Sequence, residues 1–314
     1  MSSERLLSLV IPSYDSNRFP DVKDLIDSIA IQTYSTIEAL FATESAEVKS
    51  LVERYAKARS EANVSVIYEP RAKGVDGCRN LGITKARGAL TAVLDDDVVL
   101  APDWAATVMK TFDEFPNVGA VTGPAIPGWT GAKPDWIPHQ LYWLISCTIW
   151  EWTRITEIRN VGGMNAAFPT EVLRRVGMYD ESIGPVKGGA KAGRILYTGA
   201  EEVDLCLRIR RQTGMKILYN PEMVVLHKVK SYQTKMRFLT VRAIHFGYTR
   251  RYISRIRFEG GQQNLSFELN QLPKTLLSIV TEARQPRLGL SDHAKRILLY
   301  AVSFLSLAVG YVLG

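Results

Sequence analysis

The chain has 314 residues, 46% hydrophobic and 23% charged, which suffices for one large core or a main domain with an appendage and excludes a disordered tail. Its three cysteines, Cys78, Cys147 and Cys206, are odd in number, widely spaced and without a CxxC pair; this argues against a disulfide framework or a zinc site and for a reducing compartment. The net charge of +7 is unevenly placed, with nine cations and no acidic residue between Lys228 and Arg257.

From the N-terminus, Met1 to Arg5 lead into only about six apolar residues before Pro12, too short for a signal peptide, so the protein is expected to stay cytoplasmic. Apolar runs at 6–11, 36–41, 64–68, 89–94 and 118–122 predict strands, and 21–32, 46–60, 76–87 and 103–115 predict helices. Such alternation implies an α/β fold with a mostly parallel sheet and helices on both faces. Ligands then belong at the carboxyl ends of the strands, where Pro12-Ser13-Tyr14, Thr43-Glu44, Lys73-Gly74 and Asp95-Asp96-Asp97 stand. Three adjacent carboxylates repel unless something positive offsets them, and they suit a hard divalent cation bridging to a diphosphate. Equally, Asp residues are common in a solvated turn before a helix, and Pro102-Asp103-Trp104 reads as a helix start.

Residues 123–160 break the rhythm, with prolines at 124, 127, 134 and 138 and tryptophans at 129, 136, 143, 150 and 152. Indoles belong at membrane interfaces and against sugar rings, or they pack an irregular insertion. Further on come Arg159-Asn160-Val161-Gly162-Gly163-Met164-Asn165, then Gly199-Ala200-Glu201-Glu202-Val203-Asp204, Tyr219-Asn220-Pro221 and Val224-Val225-Leu226-His227. The cations from Lys228 to Arg257, Arg250, Arg251 and Arg255 among them, are interleaved with Phe238, Leu239, Phe246 and Tyr252. This mixture fits a basic amphipathic helix on an anionic membrane surface; nucleic-acid binding or a solvated basic face are the other readings. Lys295-Arg296 precede an uncharged run over 297–314, a candidate membrane helix with its amino end cytoplasmic, or else a buried amphipathic helix.

With Val10-Ile11-Pro12-Ser13-Tyr14, Cys78-Arg79-Asn80-Leu81-Gly82 and the Asp triplet, these segments resemble, in order and spacing, glycosyltransferase family 2 with the GT-A fold, over residues 6–228. The resemblance implies Asp95 near the donor's ribose and, with Asp97 and His227, among the ligands of a manganese or magnesium ion, and Asp96 sharing either task. It places Pro12, Tyr14 and Glu44 around the uracil and ribose, although the family more often has Asp where Glu44 stands. Gly74 and Arg79 fall to the nucleotide as well, with a structural role at the helix start as the other reading of Arg79. Glu202 stands where the family has its catalytic base, with Glu201 before it. A helix N-terminus there favours an ionised carboxylate, though first-turn acids and an Asp204–Arg208 pair are also ordinary helix design. His227 matches a position that many members present to the metal, whereas His139, His245 and His293 have no such support.

The segment 136–148 followed by 159–163 resembles the archaeal branch that extends dolichyl-phosphate-linked glycans, glucuronosyltransferases acting on glucosyl-dolichyl phosphate in particular. The expectation is an inverting, metal-dependent transfer from a nucleotide sugar, UDP-linked, to a lipid-linked glycan at the cytoplasmic face of a membrane, with no nucleic-acid partner. A polyprenyl-phosphate sugar synthase, a polysaccharide glycosyltransferase and a non-catalytic nucleotide-sugar-binding membrane protein are the alternatives. The expected domains are 1–228, catalytic, with the insertion 124–160 for acceptor or membrane; 229–290, basic and helical; and 291–314, a C-terminal membrane helix.

Overall fold

Every residue of Leu7–Pro12 is buried, as is every residue of Ile37–Thr43 and Leu90–Leu94, so these runs form central strands rather than edges. They are β1, β2 and β4; β3 is Val64–Tyr68, β5 Val98–Leu100 and β6 Val118–Thr122. Helices α1 (Phe19–Ala30), α2 (Ala46–Lys57), α3 (Gly74–Lys85) and α4 (Trp104–Glu114) alternate with them. In α1 the buried Val22, Leu25, Ile26 and Ile29 repeat at helical spacing and Pro20 sits in the first turn; Ser45 caps α2 by accepting from the Val48 amide. The computed structural model describes residues 5–59, 62–72, 74–148, 151–183, 200–256 and 289–313, with backbone only at 252–256. Lys73, Trp150, Gly199 and Arg257, together with the part of the expected 229–290 region from 257 to 288, lie outside the described residues, as do the side chains of Tyr252 and Arg255.

Contacts divide the chain into two units, Met1–Gly128 with Trp150–Lys228, and Trp129–Ile149 with Val229–Gly314. The first unit is built on an eight-stranded sheet in the order β3-β2-β1-β4-β9-β6-β10-β8, where β8 is Thr156–Glu157, β9 Asn165–Pro169 and β10 Lys216–Tyr219. The β1–β2, β2–β3, β1–β4 and β6–β10 pairs are parallel, as alternation implies, but β9 enters antiparallel between β4 and β6. Its sequence carries no period that distinguishes direction, so only the pairing reveals it. A small sheet, β5-β11-β7, adds β7 (Ala125–Trp129) and β11 (Val225–Val229). One face of the large sheet packs on α1, α2 and α4 through Leu25, Ile26, Val48, Trp104 and Val108. The other packs on α3, α5 (Thr170–Arg175) and α6 (Glu201–Thr213) through Ile83, Leu173, Leu205 and Ile209.

The second unit holds a 3-10 stretch, His139–Ile145, with α7 (Met236–Ile256) and α8 (Leu290–Leu313). Its core joins Leu141, Leu144 and Ile145 to Leu239, Ala243 and Leu299, and Trp129, Trp136 and Trp143 pack against it. Trp143 meets the Phe246 ring edge-on at 4.9 Å. These indoles serve packing, one of the two roles that the sequence leaves open.

Asn165 ties the strand ends of the first unit together. It is fully buried, faces Leu94 in the β4–β9 register, accepts from the Trp104 indole N–H at 2.9 Å and donates to the Met223 carbonyl at 2.8 Å. Asn165→Ala leaves a buried donor and a buried acceptor unmatched, so it should lower unfolding stability by about 3 kcal/mol, read as a shifted denaturation midpoint with unchanged slope. An unchanged midpoint would show that water replaces both bonds.

Candidate active site

Strand β4 ends at Leu94 and delivers the Asp triplet to the carboxyl edge of the sheet, next to the ends of β1 and β2. The three carboxylates part ways. Asp96 and Asp97 turn inward and are buried, while Asp95 stays one-third exposed. The Ser13 hydroxyl donates to Asp96 Oδ2 at 2.7 Å, and the Arg18 guanidinium reaches Asp96 Oδ1 at 2.8 Å and also Asp97. Burial pushes the Asp96 carboxyl up to about 7 even with Arg18 beside it, the neighbouring Asp97 adding to the rise. For Asp97 burial also pushes upward, but His227 and Arg18 outweigh it and hold the carboxyl below its usual range.

His227 arrives by strand pairing, since it lies opposite Val98 in the β5–β11 ladder and the Lys228 amide donates to the Asp97 carbonyl at 2.9 Å. Its Nε2 stands 3.5 Å from Asp97 Oδ2. Asp97 Oδ1 is buried and accepts no hydrogen bond. A carboxylate oxygen with unused lone pairs beside an imidazole suits manganese or magnesium, which complete their shells with substrate phosphates and water. Among the described residues no three His, Cys, Asp or Glu side chains converge as a closed metal cage. Asp95 points elsewhere.

It points at Arg79. This guanidinium, on the first turns of α3 and only 4% exposed, contacts four carboxylates: Asp76 at 2.9 Å, Asp95 and Glu201 at 3.3 Å, and Glu202 at 3.5 Å. The Tyr179 ring lies 5.1 Å from it, held by reciprocal bonds of 2.9 Å with the Asn80 side chain. One positive charge cannot balance four negative ones at low dielectric, so the cluster retains protons that solvated carboxyls would lose. Burial, with Glu201 next to it, pushes Glu202 well above the carboxylate range, and burial with Glu201 likewise pushes Asp76 up to about 7. Arg79 stays charged well past its usual range because the carboxylates outweigh its burial.

Glu201 and Glu202 open α6, as the sequence implies. Room for Glu202 comes from Gly163, where a Cβ would stand 1.9 Å from Glu202 Oε1. The other expected residues lie along the same sheet edge: Pro12 ends β1, Glu44 follows β2 half-buried, and Gly74 opens α3 with φ 71°. Tyr14 is 43% exposed, and burial of its hydroxyl, with Asp96 and Asp95 nearby, raises its phenol and keeps it neutral. Sequence reasoning missed Arg18, Asp76, Tyr179 and Gly163. The i,i+3 spacing of Asp76 and Arg79 was legible; Arg18, at the end of a short 3-10 turn just before α1, carried no signal.

A family model described as glycosyl transferase family 2 matches residues 8–176. Glucosyl-dolichyl phosphate glucuronosyltransferase of Haloferax volcanii is 29% identical over 247 residues, which span 78% of this chain and 76% of that protein. Among solved structures, mannosyltransferase PcManGT from Pyrobaculum calidifontis in complex with GDP-Man and Mn2+ superposes with a TM-score of 0.62 at 16% identity, covering 98% of this chain and 87% of that one. GalNAc-T7 with UDP, GalNAc and Mn2+ superposes at 0.53 and 18% identity, over 88% of this chain and 55% of that one. These two likenesses show the fold, GT-A. The family model spans more than half of the sequence, and the chain belongs to glycosyl transferase family 2: it is a glycosyltransferase.

Proposed function

We propose that this enzyme moves a sugar, with inversion, from a nucleotide sugar, UDP-linked, to a lipid-linked glycan of the dolichyl-phosphate type, working at the cytoplasmic face of an anionic membrane. The observation that carries the proposal is the bridge through Arg79, which joins the donor-side Asp95 to the Glu201-Glu202 pair within one buried cluster. The archaeal relative's named acceptor supports the lipid, and the nucleotide sugars bound by the structural neighbours support the donor class.

In this reading Pro12, Tyr14, Glu44 and Gly74 line the nucleotide, Asp95 meets its ribose, and Asp96 holds Arg18 toward the diphosphate. Manganese or magnesium held by Asp97 and His227 would offset charge on the departing diphosphate. Glu202, kept in line by Arg79 and by the gap at Gly163, accepts the proton of an acceptor hydroxyl as that oxygen attacks the anomeric carbon from the opposite face. Glu201 secures Arg79. Arg79 thus acts on the carboxylates, Glu202 among them, rather than on the nucleotide, the role that its burial favours.

Glu202→Gln should bind donor normally and lose about 100-fold or more in turnover. Wild-type turnover in this variant would favour an acceptor whose nucleophile is a phosphate oxygen, because such a nucleophile needs no base. Gly163→Ala should reduce kcat about tenfold or more with thermal stability nearly kept, since the added methyl displaces the Glu202 carboxylate. Asp97→Asn should abolish manganese-dependent UDP binding in calorimetry; retained binding would place the cation elsewhere.

The pH dependence carries its own sign. Because burial and Glu201 raise Glu202, the base is ionised only above the ordinary carboxylate range, and kcat should climb with pH above that range. Asp76 is a further negative neighbour that raises Glu202, so Asp76→Asn should move the acidic limb to lower pH. A limb that stays put, or moves up, assigns the titration to another group.

A further inference from the structure

Helix α8 is apolar on the wrong side for a soluble protein. Its buried positions include Ser303, Ser306 and Gly310, while Ile297, Leu298, Leu305, Val309, Val312 and Leu313 are exposed, Val312 to 80%. By length and composition α8 could cross a membrane, and only 33% of its apolar stretch is buried. Small residues inside and large aliphatic ones outside are what a helix shows when lipid, not water, is its outer solvent.

What α8 is attached to limits how it can meet that lipid. A Cβ at Gly247 of α7 would stand 2.0 Å from the Leu307 carbonyl oxygen, and a Cβ at Gly310 would stand 1.9 Å from the Ile244 carbonyl oxygen. The two backbones therefore touch, and the glycines permit it. Arg251 of α7 lies 5.3 Å from the Tyr311 ring, close to the same crossing. Between Met236 and Ile256, α7 carries Arg237, Arg242, Arg250, Arg251 and Arg255 and no acidic residue. Were α8 to cross the hydrocarbon layer, α7 would be drawn in beside it and its arginines stripped of water. A helix pair lying in the interfacial plane avoids that cost, with cations among anionic headgroups and aliphatic side chains in the acyl boundary.

We infer that α7 and α8 form one monotopic element lying in the plane of an anionic bilayer surface, with the Leu305 and Val309 face of α8 turned to lipid and neither helix crossing. This rests on the membrane reading above and adds to it the topology and the contacting face.

The test uses the full chain carrying an epitope tag fused after its last residue, bound to sealed phosphatidylcholine vesicles with or without phosphatidylglycerol. The expected result is retention that rises with phosphatidylglycerol and falls with salt, and a tag digested by externally added protease as fast as an N-terminal tag. A tag protected until detergent is added overturns the in-plane topology and leaves the membrane reading standing. No vesicle binding at all overturns both, while UDP binding measured in the same preparation reports separately on the catalytic reading. Leu305→Glu with Val309→Glu should lower retention about tenfold or more at an unchanged melting temperature. Undiminished retention of this variant, or a vesicle-indifferent dimer that these substitutions dissociate, assigns the face to something other than lipid and overturns the inference.

Discussion

A single buried guanidinium holds the catalytic half of this protein in register. Arg79 gathers carboxylates from three separate stretches of chain: Asp76 on its own helix, Asp95 at the end of β4, and Glu201 and Glu202 at the start of α6. Without it, four acids packed this closely would drive the strand end and the helix apart, since an unpaired buried charge costs several kcal/mol. With it, strand end and helix start are held at a fixed separation. The same imbalance of charge pushes Asp76 up to about 7 and Glu202 well above the carboxylate range, so one arrangement both fixes these groups in place and sets how readily they release protons.

The Asp triplet shows how adjacent identical residues acquire different chemistry. The turn that follows β4 sends Asp95 to Arg79, and sends Asp96 and Asp97 to Arg18, Ser13 and His227. Three basic side chains, Arg79, Arg18 and His227, therefore divide three carboxyl groups, and the share that each receives decides the outcome: Asp97, with both Arg18 and His227, stays ionised, whereas Asp96 is pushed up to about 7. An ionised carboxylate beside an imidazole is what a divalent cation needs; a carboxyl that also takes a serine hydroxyl is better placed to orient Arg18.

Neither unit depends on long-range regularity for its chemistry. In the first, parallel strands bring loop residues to one edge, as open α/β sheets do. In the second, glycines set against the opposite helix's backbone let two helices share one face while the rest of α8 keeps its aliphatic surface. Both are cases of close packing placing polar or apolar groups where solvent alone would not.

Much was legible in the residues themselves. The strands at 64–68 and 118–122 have the bounds that their apolar runs imply, the first four helices lie where helical spacing puts them, and the order of short motifs announced the family before any pairing was known. These are local properties: burial period, capping and turn chemistry act over a few residues and are written in them. The antiparallel entry of β9, the split of the Asp triplet, the capture of Arg79 by carboxylates, the presence of Arg18 and the gap at Gly163 were not. Each joins groups far apart in the chain, Arg79 to Glu202 or Arg18 to Asp97. A sequence names the charges, but which of them neutralise one another is fixed by distance and dielectric, and only the tertiary fold sets those.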